Sequence, residues 1–226
     1  GTIQPSQADY FQTVKGGGHG DYRLITLAPA SVQEMADFVA LGFDLAFKYN
    51  NPAIILADGI IGQMMEKVVL PPFRPRRTEE EIRKQMPWAT QGKLAGHKRN
   101  VITSLELDPA IMEENNIRFQ AKYRKIEEAE VRYEEIGCEN ADYLMIAFGS
   151  MARICLKTQE MALAEGIKVG VLRPITLWPF PSKIIAEYAN KVKGMISVEL
   201  NAGQMVEDIR LAVNGKVKVE HFGRLG

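Results

Sequence analysis

Two short apolar segments separated by a helical pattern constrain the fold more than any other feature of this sequence. Leu24–Ala28 and Ala53–Ala57 are almost continuously apolar, which is typical of strands buried on both faces of a parallel sheet. Between them, Ser31 and Glu34 have the spacing of a capping box at the start of a helix. Apolar residues then recur at steps of three and four and predict one buried stripe, formed by Val32, Met35, Ala36, Val39, Phe43, Ala46 and Phe47. The pattern predicts a βαβ unit in a doubly covered parallel sheet.

The last third of the chain alternates strand and helix patterns. Tyr143–Ala147 has the pattern of a strand, and Met151–Glu165 has that of a helix, which Gly166 ends as a C-cap glycine does. Further patterns follow at Lys168–Leu172, Ser182–Ala189, Met195–Glu199, Gln204–Val213 and Val217–His221. This alternation predicts an independent, doubly wound α/β domain.

The middle of the chain differs in composition from both flanks. Prolines interrupt it, and arginines alternate with glutamates before a charged helix predicted at about Arg118–Glu135. Because acidic residues neutralise the basic ones, a solvated connector is favoured over a nucleic-acid patch. We therefore predict three parts: residues 1–70 within one α/β domain, residues 71–137 as a connector, and residues 138–226 as a second α/β domain.

The charge balance argues against binding to nucleic acid. The chain has 28 Lys and Arg residues and 28 Asp and Glu residues, whereas nucleic-acid-binding proteins usually carry a basic excess. Its longest apolar runs, such as Leu144–Phe148, reach five residues, and a membrane-spanning helix needs roughly 20. No basic and apolar leader is visible, so we expect no membrane association and a cytoplasmic location.

The cysteines and histidines form no metal-binding pattern. Cys138 and Cys155 have no metal or redox spacing and are expected to be reduced thiols. An iron–sulfur cluster held by four cysteines cannot be ligated by this chain alone. His19, His97 and His221 lie far apart and in no known ligand spacing, so neither metal-binding nor catalytic residues are predicted.

Three turns are candidates for binding. Gly149–Arg153 follows a strand and opens a helix, where anions bind, but a tight turn is favoured because the dinucleotide fingerprint is missing. Gly16–Asp21 allows close approach of the backbone to a ligand, with a flexible surface loop as the alternative. Asp58 lies at the strand edge where α/β sheets place ligands, with a plain helix cap as the alternative. These residues by themselves indicate a two-domain α/β protein.

Several longer stretches are similar to one known family. The matching stretches are Gln4–Asp9, Gly17–Asp21, Leu27–Glu34, Arg99–Ser104, Gly149–Arg153, Leu172–Pro181, Glu199–Arg210 and Gly223–Arg224. Together they cover the whole chain in the family's order. The chain resembles the alpha subunits of 2-oxoacid:ferredoxin oxidoreductases and is most similar to the 2-ketoisovalerate (branched-chain 2-oxoacid) type.

The resemblance implies a component of a thiamine-diphosphate-dependent enzyme. Family members oxidatively decarboxylate a 2-oxoacid to an acyl-CoA, with coenzyme A as co-substrate, and pass two electrons through iron–sulfur clusters to ferredoxin. The first part would be the carboxyl half of the domain that holds the aminopyrimidine ring, and the last would resemble the transketolase C-terminal domain. Thiamine diphosphate and Mg²⁺ would be shared with a beta subunit, and the clusters would lie on other subunits.

The resemblance also implies an incomplete active site. In the family, a catalytic glutamate and a substrate-binding element precede the stretch that begins here at Gly1, so we expect the isolated chain to be inactive and to self-associate. Trp178 is expected to pack between the two domains. The candidates for lining the cofactor are Gln7, Asp9, His19, Asp21 and Asp58.

Two alternatives remain open at the level of the sequence. The first is a non-catalytic module, either a degenerate paralogue or an assembly domain that binds a partner subunit. The second is a stand-alone α/β protein that binds a nucleotide or coenzyme A at the turn Gly149–Arg153.

Overall fold

The computed structural model describes residues 4–90, 92, 96 and 98–225. Two residues on which predictions rest, Gly1 and His97, lie outside the described residues. The described chain forms two compact units, one made of the residues up to Leu70 together with those from Phe119 onwards, and the other of Pro71–Arg118. Helices and strands alternate along much of the chain, and the predicted α/β class is confirmed.

The helices and strands follow one another in the order predicted for most of the chain. They are α1 (Tyr10–Val14), β1 (Ile25–Leu27), α2 (Val32–Tyr49), β2 (Ala53–Ile55), α3 (Gly59–Gln63), α4 (Glu79–Gln85), α5 (Pro109–Ala129), β3 (Tyr133–Ile136), β4 (Tyr143–Ile146), α6 (Gly149–Ala164), β5 (Val169–Pro174), β6 (Thr176–Trp178), α7 (Ser182–Tyr188), β7 (Gly194–Glu199), α8 (Met205–Val213) and β8 (Val219–Gly223).

The larger unit contains a three-stranded sheet in the order β2-β1-β6. Strands β1 and β2 are parallel, with Ile25 opposite Ala53, and α2 connects them, so the predicted βαβ unit is present. Strand β6 comes from the far end of the sequence and pairs antiparallel with β1. The first part of the chain therefore shares a sheet with a segment about 150 residues later.

A five-stranded sheet completes the larger unit, in the order β3-β5-β4-β7-β8. Strands β5, β4, β7 and β8 run parallel to one another, as predicted, and β3 pairs antiparallel with β5 at the edge of the sheet. One hydrophobic core contains buried side chains of both sheets, including Ile25, Leu144 and Leu177. A second, smaller cluster lies between the five-stranded sheet and α6 and includes Met145, Val171 and Cys155. The division into domains at residues 1–70, 71–137 and 138–226 stays a prediction.

The predicted charged helix differs from α5 at both ends. It begins at Pro109 rather than near Arg118, because Asp108 accepts a hydrogen bond from the Ala110 N–H (2.9 Å) and proline suits the first helical position. It ends at Ala129, where the chain turns into β3. Long-range pairing of β3 with β5 thus overrides the helical pattern up to Glu135.

The predicted buried stripe of α2 is wrong for three of its members. Val39, Phe43 and Phe47 are 49%, 63% and 46% exposed, whereas Phe38 and Leu45 face the sheet. The helix is apolar on both faces, so its periodicity does not tell which face packs on the strands. The Ser31 Oγ caps the helix as predicted by accepting from the Glu34 N–H (3.1 Å).

The smaller unit, Pro71–Arg118, contains α4 and the first half of α5. The Thr78 side chain caps α4 and forms a complete capping box with Glu81. Most of its described side chains are exposed. Among the described helices of the whole chain, none has the length and apolar character needed to cross a bilayer.

Candidate functional site

The carboxyl ends of β4 and β7 form the crevice in which open α/β sheets usually bind ligands. After β4 the chain crosses to β5 on one side, and it later returns to β7 on the other side. Neighbouring connections therefore leave in opposite directions at this point and open a gap. Phe148, Gly149 and Ser150 follow β4 there, and Leu200 and Asn201 follow β7.

Gln7 fills this crevice from the amino-terminal segment. Its backbone N–H donates to the Leu200 carbonyl (2.9 Å), and its Oε1 accepts from the Leu200 N–H (3.1 Å). Its Nε2 donates to the Phe148 carbonyl (2.9 Å), and its own carbonyl accepts from Asn201 Nδ2 (3.0 Å). Only 4% of Gln7 is exposed. Helix α1 begins only at Tyr10, and the residues before it are held by these hydrogen bonds to the ends of β4 and β7.

Asp58 connects the ends of two helices. Its Oδ1 accepts hydrogen bonds from the N–H groups of Ile60 (3.1 Å) and Ile61 (3.2 Å) at the start of α3. Its Oδ2 accepts from the Ser150 N–H (3.0 Å) and the Ser150 Oγ (2.7 Å) at the start of α6. The side chain is buried, with the residue 5% exposed. Asp58 therefore caps a helix and also lies at the sheet edge, so both interpretations of this residue agree with the structure.

The anion position at the start of α6 is thus occupied by the protein's own carboxylate. Gly149 has a left-handed φ of +58°, and a Cβ atom there would lie 2.9 Å from both Asp58 Oδ2 and Gln7 Nε2. This crowding leaves no room for a phosphate at the turn. Of the two interpretations of Gly149–Arg153, the tight turn agrees with the structure.

Glu199 is a second buried carboxylate at a helix start, and no motif in the sequence indicated it. It is 1% exposed and accepts from the N–H groups of Met205 (2.7 Å) and Val206 (3.0 Å) at α8. Ser197 Oγ donates to it as well (2.7 Å). An acidic residue at the end of a strand just before a helix is the signal that would have found it.

Helix α8 holds the amino-terminal segment in place. Gln204 accepts from the Phe11 N–H (2.8 Å) and donates to the Ala8 carbonyl (2.8 Å). The Tyr10 hydroxyl donates to Asp208 Oδ2 (2.7 Å). Burial, together with the neighbouring Asp208 carboxylate, raises the pKa of Tyr10 well above its ordinary value, so Tyr10 remains a donor.

The remaining predicted cofactor residues lie on the surface. Asp9, His19 and Asp21 are exposed, and the Asp9 side chain makes no capping hydrogen bond to α1. The structure therefore brings Gln7 and Asp58 together, with Gln7 Nε2 3.4 Å from Asp58 Oδ2, and leaves the other three outside that cluster. Within the described ranges, no three His, Cys, Asp or Glu side chains are grouped to hold a metal ion.

The buried Arg173 and the partly buried Glu34 form an ion pair that the sequence did not indicate. The guanidinium donates two hydrogen bonds to the Glu34 carboxylate (2.7 and 2.6 Å), and the Ala30 N–H donates a third (2.7 Å). Burial alone would raise the pKa of Glu34, but these hydrogen bonds lower it. Glu34 thus stays ionised at neutral pH and links α2 to β5. Because the Glu34 carboxylate accepts from Arg173 and the Ala30 N–H, it does not make the second hydrogen bond of the predicted capping box.

Two family models match this chain. The thiamine-diphosphate-binding domain of pyruvate flavodoxin/ferredoxin oxidoreductases matches residues 1–137, and core domain II of pyruvate:ferredoxin oxidoreductase matches residues 141–226. Among solved structures, 2-oxoglutarate:ferredoxin oxidoreductase from Magnetococcus marinus, with 2-oxoglutarate, coenzyme A and succinyl-CoA bound, has a similar fold. The TM-score is 0.75 at 23% identity, over 99% of this chain and 42% of that one.

Curated relatives align along the full chain. The ketoisovalerate oxidoreductase subunits VorB of Methanothermobacter marburgensis and Methanothermobacter thermautotrophicus are 49% and 48% identical to it over 226 residues. The 2-oxoglutarate synthase subunit KorA of Archaeoglobus fulgidus is 32% identical over 98% of the chain. The chain spans 62% of the length of each of these three relatives.

Proposed function

The chain belongs to the 2-oxoacid:ferredoxin oxidoreductase family, and from this membership we propose that it is part of the alpha subunit of such an enzyme. The observation that carries the proposal is the pair of family models, which follow each other over residues 1–137 and 141–226. The proposed reaction is the thiamine-diphosphate-dependent oxidation of a 2-oxoacid to an acyl-CoA, with coenzyme A as co-substrate. Identity along the whole chain to oxidoreductase subunits favours an enzyme component over a non-catalytic module.

We propose a branched-chain 2-oxoacid such as 2-ketoisovalerate as the substrate. The relatives named for ketoisovalerate are 49% and 48% identical to this chain, and the relative named for 2-oxoglutarate is 32% identical. A branched-chain substrate needs an apolar pocket, whereas the second carboxylate of 2-oxoglutarate needs a cation. Comparing turnover of these two substrates by the assembled enzyme tests the choice.

The described residues do not group into a site for the diphosphate and Mg²⁺ of thiamine diphosphate. A diphosphate and Mg²⁺ need cations, free helix starts or grouped carboxylates. The start of α6 is filled by Asp58, and no metal-binding group of side chains is found in the described ranges. We therefore propose that a partner beta subunit holds the diphosphate and Mg²⁺. When bound, the cofactor supplies the nucleophilic carbon and the electron sink for decarboxylation.

We propose that the glycine-rich segment Gly16–Asp21 faces the aminopyrimidine ring of the cofactor. His19 and Asp21 offer polar groups there, and the glycines permit close approach of a ring to the backbone. Asp9 lies at the start of α1 on the same chain segment. Gln7 and Asp58 have their polar atoms engaged within the protein, so we propose that they position the surrounding segments without touching the cofactor.

Matched asparagine variants separate these two roles. Asp58→Asn should lower the free energy of unfolding by about 2 kcal/mol, because hydrogen bonds to a charged acceptor are lost. Asp21→Asn should leave stability unchanged and weaken thiamine diphosphate binding by the assembled enzyme about tenfold. Normal stability of the Asp58→Asn protein together with weak cofactor binding would instead assign Asp58 to the cofactor.

The electrons are proposed to leave through other subunits. Cys138 and Cys155 are both buried and free, so this chain has no exposed thiolates to offer a cluster. We propose iron–sulfur subunits of the same cytoplasmic complex as acceptors, and ferredoxin as the final one. Self-association of the isolated chain remains a prediction, and sedimentation would test it.

Reconstitution tests the proposed function. The chain is co-expressed with the beta subunit, and the purified complex is titrated with thiamine diphosphate and Mg²⁺ by calorimetry. We expect a stable complex that binds the cofactor, and we expect the isolated chain to catalyse no 2-oxoacid-dependent dye reduction. A chain that forms no complex, or that turns over alone, would contradict the proposal.

A further inference from the structure

The glycine-rich segment Gly16–Asp21 is folded around the side chain of Tyr22. The Tyr22 hydroxyl accepts a hydrogen bond from the Gly17 N–H (2.7 Å). Gly16 and Gly20 have left-handed φ angles of +92° and +105°, a conformation that glycine adopts without strain. A Cβ atom on Gly16 would lie 3.5 Å from the Tyr22 ring, so the ring packs directly against the backbone of the segment. The segment is therefore a folded turn, although most of its residues are exposed.

One carboxylate on α8 holds both ends of the helix that leads into this segment. Helix α1 spans Tyr10–Val14, and Lys15 follows it directly before the first glycine. Asp208 Oδ2 accepts from the Tyr10 hydroxyl (2.7 Å), and Asp208 Oδ1 forms an ion pair with Lys15 Nζ. Tyr10 is fully buried and the Asp208 side chain is 16% exposed, so water competes little for the contact between them. The start of the segment is thus fixed to a residue 193 positions later in the chain.

A further contact fixes the end of the segment. Gln120 Nε2, on α5, donates to the Asp21 carbonyl (3.1 Å). The segment is therefore held by a different helix at each end and by Tyr22 between them. A ligand that binds an ordered segment avoids the entropic cost of ordering it, whereas a loose segment has to be ordered on binding. Side chains that hold the segment can therefore raise the affinity for a ligand that they never touch.

We propose that Asp208 is a positioning residue of the cofactor site, which fixes α1 and thereby presents the glycine-rich segment to the aminopyrimidine ring of thiamine diphosphate. This inference rests on the proposed function and adds a residue of α8 to the proposed site. Both oxygens of Asp208 are engaged within the protein, so it acts through α1 and not by contact with the cofactor. Neutralising Asp208 weakens two contacts at once, whereas a change at Tyr10 or Lys15 removes only one.

The experiment measures the affinity of the reconstituted complex with the beta subunit for two ligands, thiamine diphosphate and inorganic diphosphate, each with Mg²⁺. Asp208→Asn should weaken binding of thiamine diphosphate about tenfold, because the amide offers one acceptor oxygen to two donors and the segment is less well ordered. Binding of inorganic diphosphate should stay within about twofold of the wild type, because the beta subunit is proposed to hold that end of the cofactor. Calorimetry gives both dissociation constants and the number of sites.

Two further variants complete the comparison. Glu207→Gln is the matched control, since it removes the same charge from the same helix at an exposed neighbour of Asp208, and both affinities should stay within about twofold. Lys15→Met replaces a side chain that is 39% exposed, so the chain should fold normally. It should weaken thiamine diphosphate binding about threefold, and in combination with Asp208→Asn it should add little, because both act through one contact.

Hydrogen exchange tests the positioning without any cofactor. In the full chain, the Gly17 amide and its neighbours in the glycine-rich segment should exchange at least about threefold faster in the Asp208→Asn variant than in the Glu207→Gln variant, because α1 is held less firmly. Equal exchange rates in the two variants would show that Asp208 does not order this segment, and the proposal would fall.

The outcomes of the binding experiment separate this inference from the proposed function. Wild-type affinity for thiamine diphosphate in both Asp208→Asn and Lys15→Met would remove the positioning role and leave the proposed function intact. Equal losses of affinity for the two ligands, or fewer sites of unchanged affinity, would also reject it, because they indicate general damage to the complex. A wild-type complex that binds no thiamine diphosphate would contradict the proposed function, and this inference with it.

Discussion

At the residue scale, Asp58 and Glu199 perform the same task at two helices of one sheet edge. Each buried carboxylate accepts N–H groups at a helix start, Asp58 at α6 and Glu199 at α8. Such contacts use the positive end of the helix dipole and satisfy donors that would otherwise lack partners. Positions that bind anionic ligands in other α/β proteins are therefore used here for internal structure.

Replacing Gly149 tests how closely the Asp58 carboxylate is packed against the start of α6. Gly149→Ala should lower the free energy of unfolding by about 2–4 kcal/mol, because a Cβ there combines a left-handed φ with contacts of 2.9 Å. Gly166→Ala is the matched control, since Gly166 is also left-handed (φ +78°) but has no atom within 4 Å of the added Cβ. It should cost about 1 kcal/mol. Equal losses in urea titrations of the two variants would show that crowding at Gly149 is unimportant.

The two cysteines should be unreactive in the folded chain. Burial raises the pKa of Cys138 to about 11 and that of Cys155 to about 12. Because only the thiolate attacks, the reactive fraction at pH 8 falls below that of an ordinary cysteine by about 200-fold for Cys138 and about 2,000-fold for Cys155. A chromogenic disulfide reagent should therefore label neither thiol rapidly until urea is added, when both should react. Rapid labelling of the native protein would contradict the burial of these side chains.

At the element scale, local patterns located most helices and strands but not their long-range partners. Strands β1 and β2 and the cap of α2 could be predicted, because apolar runs and Ser31 are local signals. Strand β6 was missed because the proline-rich segment around it resembles a connection, and its pairing with β1 is not encoded nearby. Similarly, Asp58 could be placed at a sheet edge, but its partner Ser150 is 92 residues away.

Trp178 should contribute strongly to stability because it joins three elements. It lies in β6, pairs with Thr26 of β1, and its ring meets Tyr123 of α5 edge-on at 5.8 Å. It is 7% exposed, so Trp178→Ala should cost about 3–5 kcal/mol and lower the melting temperature.

The other tryptophan provides the control for this substitution. Trp88 belongs to the smaller unit and is 41% exposed, so Trp88→Ala should change the melting temperature much less. If calorimetry gave the same midpoint for both variants, Trp178 would not connect these elements.

At the scale of the whole molecule, the larger unit is built from both ends of the described chain. The segments before Leu70 and after Phe119 share the sheet β2-β1-β6 and one hydrophobic core. Residues 1–70 and 138–226 are predicted to belong to different domains because each segment has its own strand and helix pattern, and this division stays a prediction. Which segments share a core depends on contacts such as Gln7 with Leu200, and no local pattern contains them.

Limited proteolysis distinguishes one shared unit from two separate domains. Trypsin should cut first within Pro71–Arg118, for example after the exposed Arg76 and Arg77, because few contacts protect this region. The pieces before and after the cut should still elute together in size-exclusion chromatography, since the β1–β6 pairing and the Asp58–Ser150 hydrogen bonds hold them. They should separate only in denaturant, as mass spectrometry of the fractions would show. If they separated under native conditions, the two segments would be independent domains joined by a linker, and the shared core would not be what stabilises the chain.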